Sequence, residues 1–325
     1  MAESSPTARA ENYLAPETLG QLAPFELRAK MIVEGVMSGT HRSPYQGMAV
    51  EFAQHRQYVP GDDLKHLDWK VYGRSDKLYV KQYQQETNLD VVIMVDASAS
   101  MGFGTLPIKQ GWGGTTASAA RKVWTKFDHA TALTVALAYL CLHQQDRVGV
   151  VVFSDEIQTI VKRASTQGQW RRIVNTLAGE PVETSTNFEK VTNQALGRVT
   201  NRALFVIVSD FFDDAESIRQ ALAKFRHRRH DVIVVQTLDR QEMRFDFSQA
   251  APFEGMEGEG KVRIDPRALR EAYLESLEAH CDAIQKSARG FGFDYLRVDT
   301  HASVGPPLAY LLARRNAYIK RSKVG

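Results

Sequence analysis

Leu89-Asp90-Val91-Val92-Ile93-Met94-Val95 runs directly into Asp96-Ala97-Ser98-Ala99-Ser100. A nearly continuous apolar run of this kind predicts a strand buried on both faces, which belongs in a parallel sheet covered by helices on each side. The rhythm continues downstream. His129 to Gln144 is apolar around most of its circumference and predicts a buried helix, and further strands are predicted at Arg147 to Phe153, Ala203 to Ser209, Asp231 to Gln236 and Phe293 to Val298. A last long helix is expected to start with Asp265 as N-cap and Pro266 at its first position. Leu269, Tyr273, Leu277, Cys281 and Ile284 form its buried stripe, and Gly290 ends it. Alternating strands and helices predict an α/β fold with a mainly parallel sheet covered on both faces.

Ligands of such open sheets bind beyond the carboxyl ends of the strands, so the polar residues that follow apolar runs are the candidates. The first strand ends in Asp96, Ser98 and Ser100, and the strand at Ala203 to Ser209 ends in Asp210, followed by Phe211-Phe212-Asp213-Asp214. Glu183-Thr184-Ser185-Thr186-Asn187 offers further hydroxyls before a helix. This all-oxygen set suits a hard divalent cation such as Mg²⁺ or Mn²⁺. Hydroxyl ligands are neutral, so two carboxylates would leave the ion electrophilic enough to take a carboxylate from another molecule. That is docking chemistry more than catalysis.

Before Leu89 the pattern differs. Ala23 to Met37 places Leu27, Met31, Ile32 and Val36 at helical spacing. Val50 and Phe52, then Leu78 and Val80, alternate with polar residues and predict two strands of a small β-rich unit. The turn Val59-Pro60-Gly61-Asp62-Asp63 lies between them. Asp62, Asp63 and Asp68 are expected to bond turn backbone, with Trp69 packed against the sheet. The expected division is a tail over 1–20, a helix plus β-rich unit over 21–88, the α/β domain over 89–315 and a tail over 316–325. The glycine-rich stretch from Met101 to Lys126 is expected to be an exposed loop.

Composition narrows the function. Of 325 residues, 43% are hydrophobic and 24% charged, as in globular proteins, and 41 Lys plus Arg against 38 Asp plus Glu gives a net charge of +3. That balance does not call for nucleic acid as an obligate partner. No apolar run approaches the roughly 20 residues of a membrane helix, and the first residues do not read as a signal peptide. Cys141 and Cys281 sit in apolar helical patterns and are expected as free thiols in a cytoplasmic setting. Gly255 to Val262 comes near a phosphate-binding loop but has Val262 where Ser or Thr must hold Mg²⁺, and it reads as a flexible hairpin or loop. The cluster Arg226-His227-Arg228-Arg229-His230 is expected to cap a helix C-terminus. The nine histidines show no zinc-site spacing.

The D-x-S-x-S pattern after a central strand, with a later Thr and a later Asp, resembles the metal-ion-dependent adhesion site of von Willebrand factor type A domains. The resemblance assigns Asp96, Ser98 and Ser100 to the first motif, Thr186 to the second and Asp210 to the third. It implies an α/β fold with a doubly wound, mainly parallel, Rossmann-like sheet that binds Mg²⁺ or Mn²⁺, with one coordination position completed by an acidic residue of a protein partner. The stretch from Arg56 through Pro60-Gly61-Asp62-Asp63 and Asp68-Trp69 into Lys77 to Glu86 resembles the bacterial family called domain of unknown function 58, over about Leu22 to Arg315. Two features depart from the pattern: the long stretch from Met101 to Lys126, and Ser185-Thr186-Asn187 where related domains show Gly-Thr-Asp. The resemblance implies a non-enzymatic adaptor or co-chaperone for a MoxR-type AAA+ ATPase or its client; the chain is expected to be a monomer. The alternative is a metal-dependent phosphoester hydrolase using the same aspartates.

Overall fold

The computed structural model describes residues 50–60, 67–85, 89–108, 115–119, 122–166, 168–179, 182, 184–247, 251–254, 261–264, 266–302, 304–308, 310–311 and 313–314. The expected helix over 23–37, both expected tails, Asp62, Asp63 and the Asp265 cap lie outside these residues.

In the N-terminal unit, β1 (Val50–Gln57) pairs antiparallel with β2 (Tyr79–Gln85), with the short helix α1 (Trp69–Ser75) between them. Asp68 caps α1 by accepting from the backbone N–H groups of Lys70 and Val71 at 3.0 and 3.2 Å, the turn-bonding role expected of it. Trp69 corrects its expectation. It is 64% exposed, edge-on to Tyr72, because the described part of this two-stranded unit buries only Leu67 and Val80 among its apolar side chains.

The α/β domain is built on β3 (Asp90–Asp96), β6 (Arg147–Phe153), β7 (Ile157–Ala164), β8 (Leu204–Ser209), β9 (Asp231–Leu238) and β12 (Asp294–Asp299). Their spatial order is β12-β9-β8-β3-β6-β7, parallel throughout except for β7, an antiparallel edge that the sequence reading did not anticipate. The doubly wound, mainly parallel sheet is therefore as expected. β3 and β8 are neighbours although the chain leaves β3 for β6 on the opposite side, which makes the β3–β8 boundary the topological switch point.

Alternation along the strands divides the core in two. Val91, Ile93, Val95, Val150, Val206 and Ile233 share one buried cluster with α3 (Lys126–His143) and α4 (Gln169–Gly179). Val92, Met94, Phe153, Phe205, Ile207 and Val234 share the other with α5 (Phe188–Leu196), α6 (Ala215–His227) and α8 (Pro266–Gly290). Each fully buried aliphatic or aromatic side chain contributes about 1.5–3 kcal/mol. α3 is buried nearly all round, as its sequence predicts, because Met101, Trp124, Leu308 and Leu311 belong to the same cluster.

The stretch from Met101 to Lys126 is not the exposed loop expected. Its described residues include a 3₁₀ turn (Ala99–Gly102), the paired β4 (Leu106–Pro107) and β5 (Val123–Trp124), and the short helix α2 (Thr116–Ala119). Met101, Thr115, Ser118 and Trp124 are buried. Asp128, buried in the first turn of α3, explains the order. Its carboxylate accepts from Thr115 N at 2.7 Å, Ser118 Oγ at 3.1 Å, and Thr125 N and Oγ1 at 2.9 and 2.6 Å.

After β9 come the short helix α7 (Arg240–Arg244) and the antiparallel pair of β10 (Ala251–Glu254) with β11 (Lys261–Ile264); residues 255–260, most of the hairpin or loop expected over 255–262, lie outside the described residues. The stripe of α8 is buried only at its end: Cys281 and Ile284 are covered, whereas Leu269 is 37% exposed and Tyr273 and Leu277 are half-buried. Lys224, Arg226 and His227 close α6 as a dipole-complementing last turn. His230 is not part of that surface: it is buried, and its Nδ1 accepts from Ala203 N at 3.2 Å. Cys141 and Cys281 are free, buried thiols. Among the described residues no helix is long and apolar enough to cross a membrane.

Candidate functional site

The carboxyl ends of β3 and β8 meet at the switch point and bring Asp96 against Ser209. Asp96 Oδ2 accepts from Ser209 Oγ at 2.6 Å, and Asp96 Oδ1 accepts from Ser98 N at 2.8 Å. The 3₁₀ turn that starts after Ser98 folds Ser100 back, so that the Ser98 and Ser100 hydroxyl oxygens lie 3.1 Å apart. Asp96 and Ser98 are fully buried and Ser100 is half-buried, which leaves the hydroxyl pair at the edge of the sheet.

Asp210 follows β8 in a strained turn. Phe211 adopts φ of 57°, a left-handed conformation costly for a bulky residue, on the order of 1–3 kcal/mol. Three contacts hold it there. Phe211 N donates to Ser209 Oγ at 2.8 Å, the Phe211 carbonyl lies 2.8 Å from His280 Nε2 of α8, and the buried ring packs edge-on against Phe188 at 5.5 Å. Gln236 Nε2 also donates to the Asp210 carbonyl at 2.9 Å.

The loop carrying Thr186 is pinned at both ends. Thr184 forms a parallel bridge with Ser98, and Ala99 N donates to Thr184 O at 2.7 Å. Asn187 N donates to Ser154 O at 3.1 Å at the end of β6. Asn187 caps α5 by accepting from Lys190 N at 3.0 Å, and Asp213 Oδ2 accepts from Phe188 N at 3.3 Å. Thr186 thus lies half-buried on the loop between these two fixed points, two residues after the Thr184 that bridges to Ser98. Contacts join Asp96, Ser98 and Ser100 directly and Asp210 through neighbouring Ser209, whereas Thr186 is placed by its loop.

Three residues at this edge were not among those expected. Ser209 is the first. The others are Lys126 and Glu242. Lys126 is the first residue of α3 and is completely buried; its Nζ donates to Asp210 Oδ2 at 2.7 Å and to Glu242 Oε1 at 2.6 Å, 4.6 Å from the centre of the Phe212 ring. Glu242 in turn accepts from Asp239 N at 2.7 Å, completing the capping box of α7. The signal for Lys126 was present in the sequence: a cation in the first turn opposes the helix dipole, so its retention needs anionic partners.

Electrostatics separates the acids. Burial, reinforced by the charge of Asp210, pushes the Asp96 carboxyl up to about 7 against the opposing bonds from Ser209 and Ser98. Burial alone would favour the neutral amine of Lys126, but Asp210 and then Glu242 hold it charged, above the usual lysine range. Glu242 is raised by burial, with Lys126 pulling the other way. Asp239 would also be raised by its burial, but bonds from Thr105, Gln241 N and Thr300 hold it below the ordinary value.

The donors fit a hard cation. Octahedral ligands at about 2.0–2.1 Å from Mg²⁺ are about 3 Å from one another, close to the 3.1 Å between the Ser98 and Ser100 oxygens. Among the described residues no ion pair reaches Asp96, whose buried carboxylate is left short of positive charge. Among the described residues, too, no group of three or more His, Cys, Asp and Glu side chains could hold an ion, so a cation here depends on hydroxyl oxygens.

Comparison with known proteins places the chain. It is 27% identical over 293 residues to the uncharacterized protein Rv1480 of Mycobacterium tuberculosis (strain ATCC 25618 / H37Rv), covering 88% of this chain and 86% of that one. It is equally similar to the uncharacterized protein Mb1516 of Mycobacterium bovis. Among solved structures, the conserved hypothetical protein BatB from Bacteroides thetaiotaomicron matches with a TM-score of 0.43 and 16% identity, over 70% of this chain and 98% of that one. The SpRpn10 VWA domain matches with a TM-score of 0.37 and 11% identity, over 68% and 94%. The model of the family described as "Protein of unknown function DUF58" matches residues 54–283, and the chain belongs to that family.

Proposed function

We propose that this protein is a non-enzymatic interaction module that grips an acidic residue of a protein partner through Mg²⁺ or Mn²⁺ held at the end of β3. The observation that carries this reading is the buried Asp96 carboxylate, which no described cation compensates, beside a hydroxyl pair at octahedral-edge spacing on the switch point. Asp96, Ser98 and Ser100 would hold the ion directly, with Thr186 on the adjoining loop and Asp210 beside the site as an outer carboxylate. The ion would supply a Lewis-acidic position for one carboxylate oxygen. Ser209 and Ser98 N keep the Asp96 carboxylate oriented, and the strained Phe211 turn keeps Asp210 at the same edge. A MoxR-type AAA+ ATPase, or its client, is the partner implied by the family resemblance.

The test is retention of a purified MoxR-type ATPase from the same organism on the immobilised full chain. Retention is expected with millimolar Mg²⁺ or Mn²⁺ and is expected to fall at least tenfold with EDTA or in Asp96→Asn, whose fold is checked by circular dichroism. Retention indifferent to both would exclude a metal-dependent grip. Phosphoester turnover lost in Asp96→Asn would replace this function with hydrolysis.

A further inference from the structure

The cation assigned to Asp96 would share this edge of the sheet with a cation the chain already carries. Lys126 is completely buried, so its ammonium cannot leave for solvent without rearrangement of the first turn of α3. That turn is fixed: Thr125 and Asp128 form a reciprocal capping box, and Lys126 N donates to Phe103 O at 2.8 Å. Nζ lies on Asp210 Oδ2 at 2.7 Å, while Asp210 Oδ1 accepts from Phe212 N at 3.3 Å. Both oxygens of Asp210 are therefore already engaged. Glu242, 2.6 Å from Nζ on the other side, anchors the ammonium through the cap of α7, and the Phe212 ring packs against it at 4.6 Å.

We infer that Lys126 is a resident counter-cation that withholds Asp210 from direct coordination and sets the affinity of the Asp96 site for divalent ions low. This rests on the metal-holding role proposed for Asp96. A fixed positive charge on a shared carboxylate acts against a second, divalent charge beside it. An ion held by Asp96 and two neutral hydroxyls, without Asp210 as a ligand, keeps more of its charge for an incoming carboxylate. Ion and acidic partner then bind each more tightly in the presence of the other, as linkage requires.

The test is Mn²⁺ titration of the full chain, followed by the electron paramagnetic resonance signal of free Mn²⁺. The wild type is compared with Asp96→Asn, Glu242→Gln and the paired replacement Lys126→Met with Glu242→Gln. The pair removes one positive and one negative charge, so the net charge of the cluster is unchanged, and it leaves Asp210 without its ammonium and open to the ion; its fold is checked by circular dichroism. It is expected to bind Mn²⁺ at least tenfold more tightly than the wild type. Glu242→Gln alone leaves the ammonium wholly to Asp210 and is expected to bind several-fold more weakly. Equal or weaker binding by the pair, or tighter binding by Glu242→Gln, overturns the inference; if Asp96→Asn still abolishes binding, the metal role of Asp96 survives that result. Binding by the pair but not by the wild type supports the inference and removes the metal role from the native site. Absence of binding in every protein overturns both.

Discussion

Lys126→Ala is expected to lower the free energy of unfolding by about 3–5 kcal/mol, because it removes one partner of a buried charge cluster and leaves the others uncompensated. Lys126 is fully buried, and the Asp210 and Glu242 oxygens on either side are covered with it, at 1% and 12% side-chain exposure. With the ammonium gone, Asp210 and Glu242 face each other across a water-poor gap. A loss of that size is a large share of the 5–15 kcal/mol typical of a domain. Glu242→Gln combined with Lys126→Ala is expected to recover part of it, since one stranded carboxylate disappears. Urea unfolding of the two single variants and the double variant closes the cycle. A positive coupling above about 1 kcal/mol is expected, and additive losses would mean that solvent, not Glu242, balances the ammonium.

The stability contributed by His129 is expected to fall by an amount on the order of 3 kcal/mol between pH 7 and 4, while Asp96, whose carboxyl is raised to about 7, contributes with the opposite sign over the same range. Burial, only partly offset by Asp299 and reinforced by His301, lowers the imidazole from 6.5 to about 4. The ring is buried against Trp124, whose Nε1 donates to His129 Nδ1 at 3.4 Å, and its Nε2 has no hydrogen-bond partner among the described residues. The unfolded chain therefore takes up a proton below pH 6.5 that the folded chain refuses until about pH 4. Stability from this group is full above pH 7 and falls as pH drops through that window. His129→Asn retains an acceptor for Trp124 and cannot titrate. It should be less stable at pH 7 through lost packing, yet its deficit relative to the wild type should shrink between pH 7 and 4, because Asp96 titrates alike in both. Parallel slopes in urea melts across this range would mean that His129 is not the group responsible.

The parallel strands were legible in the sequence because burial on both faces leaves long apolar runs, and β3, β6, β8 and β9 follow such runs closely. β7 was missed for the opposite reason. As an edge strand it alternates half-buried Ile157, Thr159 and Val161 with exposed Gln158, Ile160 and Lys162, a weaker pattern. The start of α3 was placed too late because Thr125-Lys126-Phe127-Asp128 looks polar, although Thr125 and Asp128 form its capping box. Asp96, Ser98, Ser100 and Asp210 could be named because strand-end position is a local property. The Lys126–Glu242 pair could not be read from spacing: the two residues are 116 positions apart, and only the closing of the sheet brings them together. Trp69 was misplaced because an aromatic residue beside two strands suggests packing, whereas among the described residues of this unit only Leu67 and Val80 are buried apolar side chains and Trp69 is exposed.

The most direct measurement of the central claim is thermal unfolding of the wild type and Asp96→Ala, each in EDTA and then in millimolar Mg²⁺ or Mn²⁺. An ion that binds only the folded state adds RT ln(1 + [L]/Kd), about 2.7 kcal/mol at 100 times Kd. A rise in unfolding temperature with the ion in the wild type, absent from Asp96→Ala, is the predicted result. Equal responses in the two proteins, or none in the wild type at saturating ion together with an acidic peptide ligand, would contradict a metal-dependent site at Asp96.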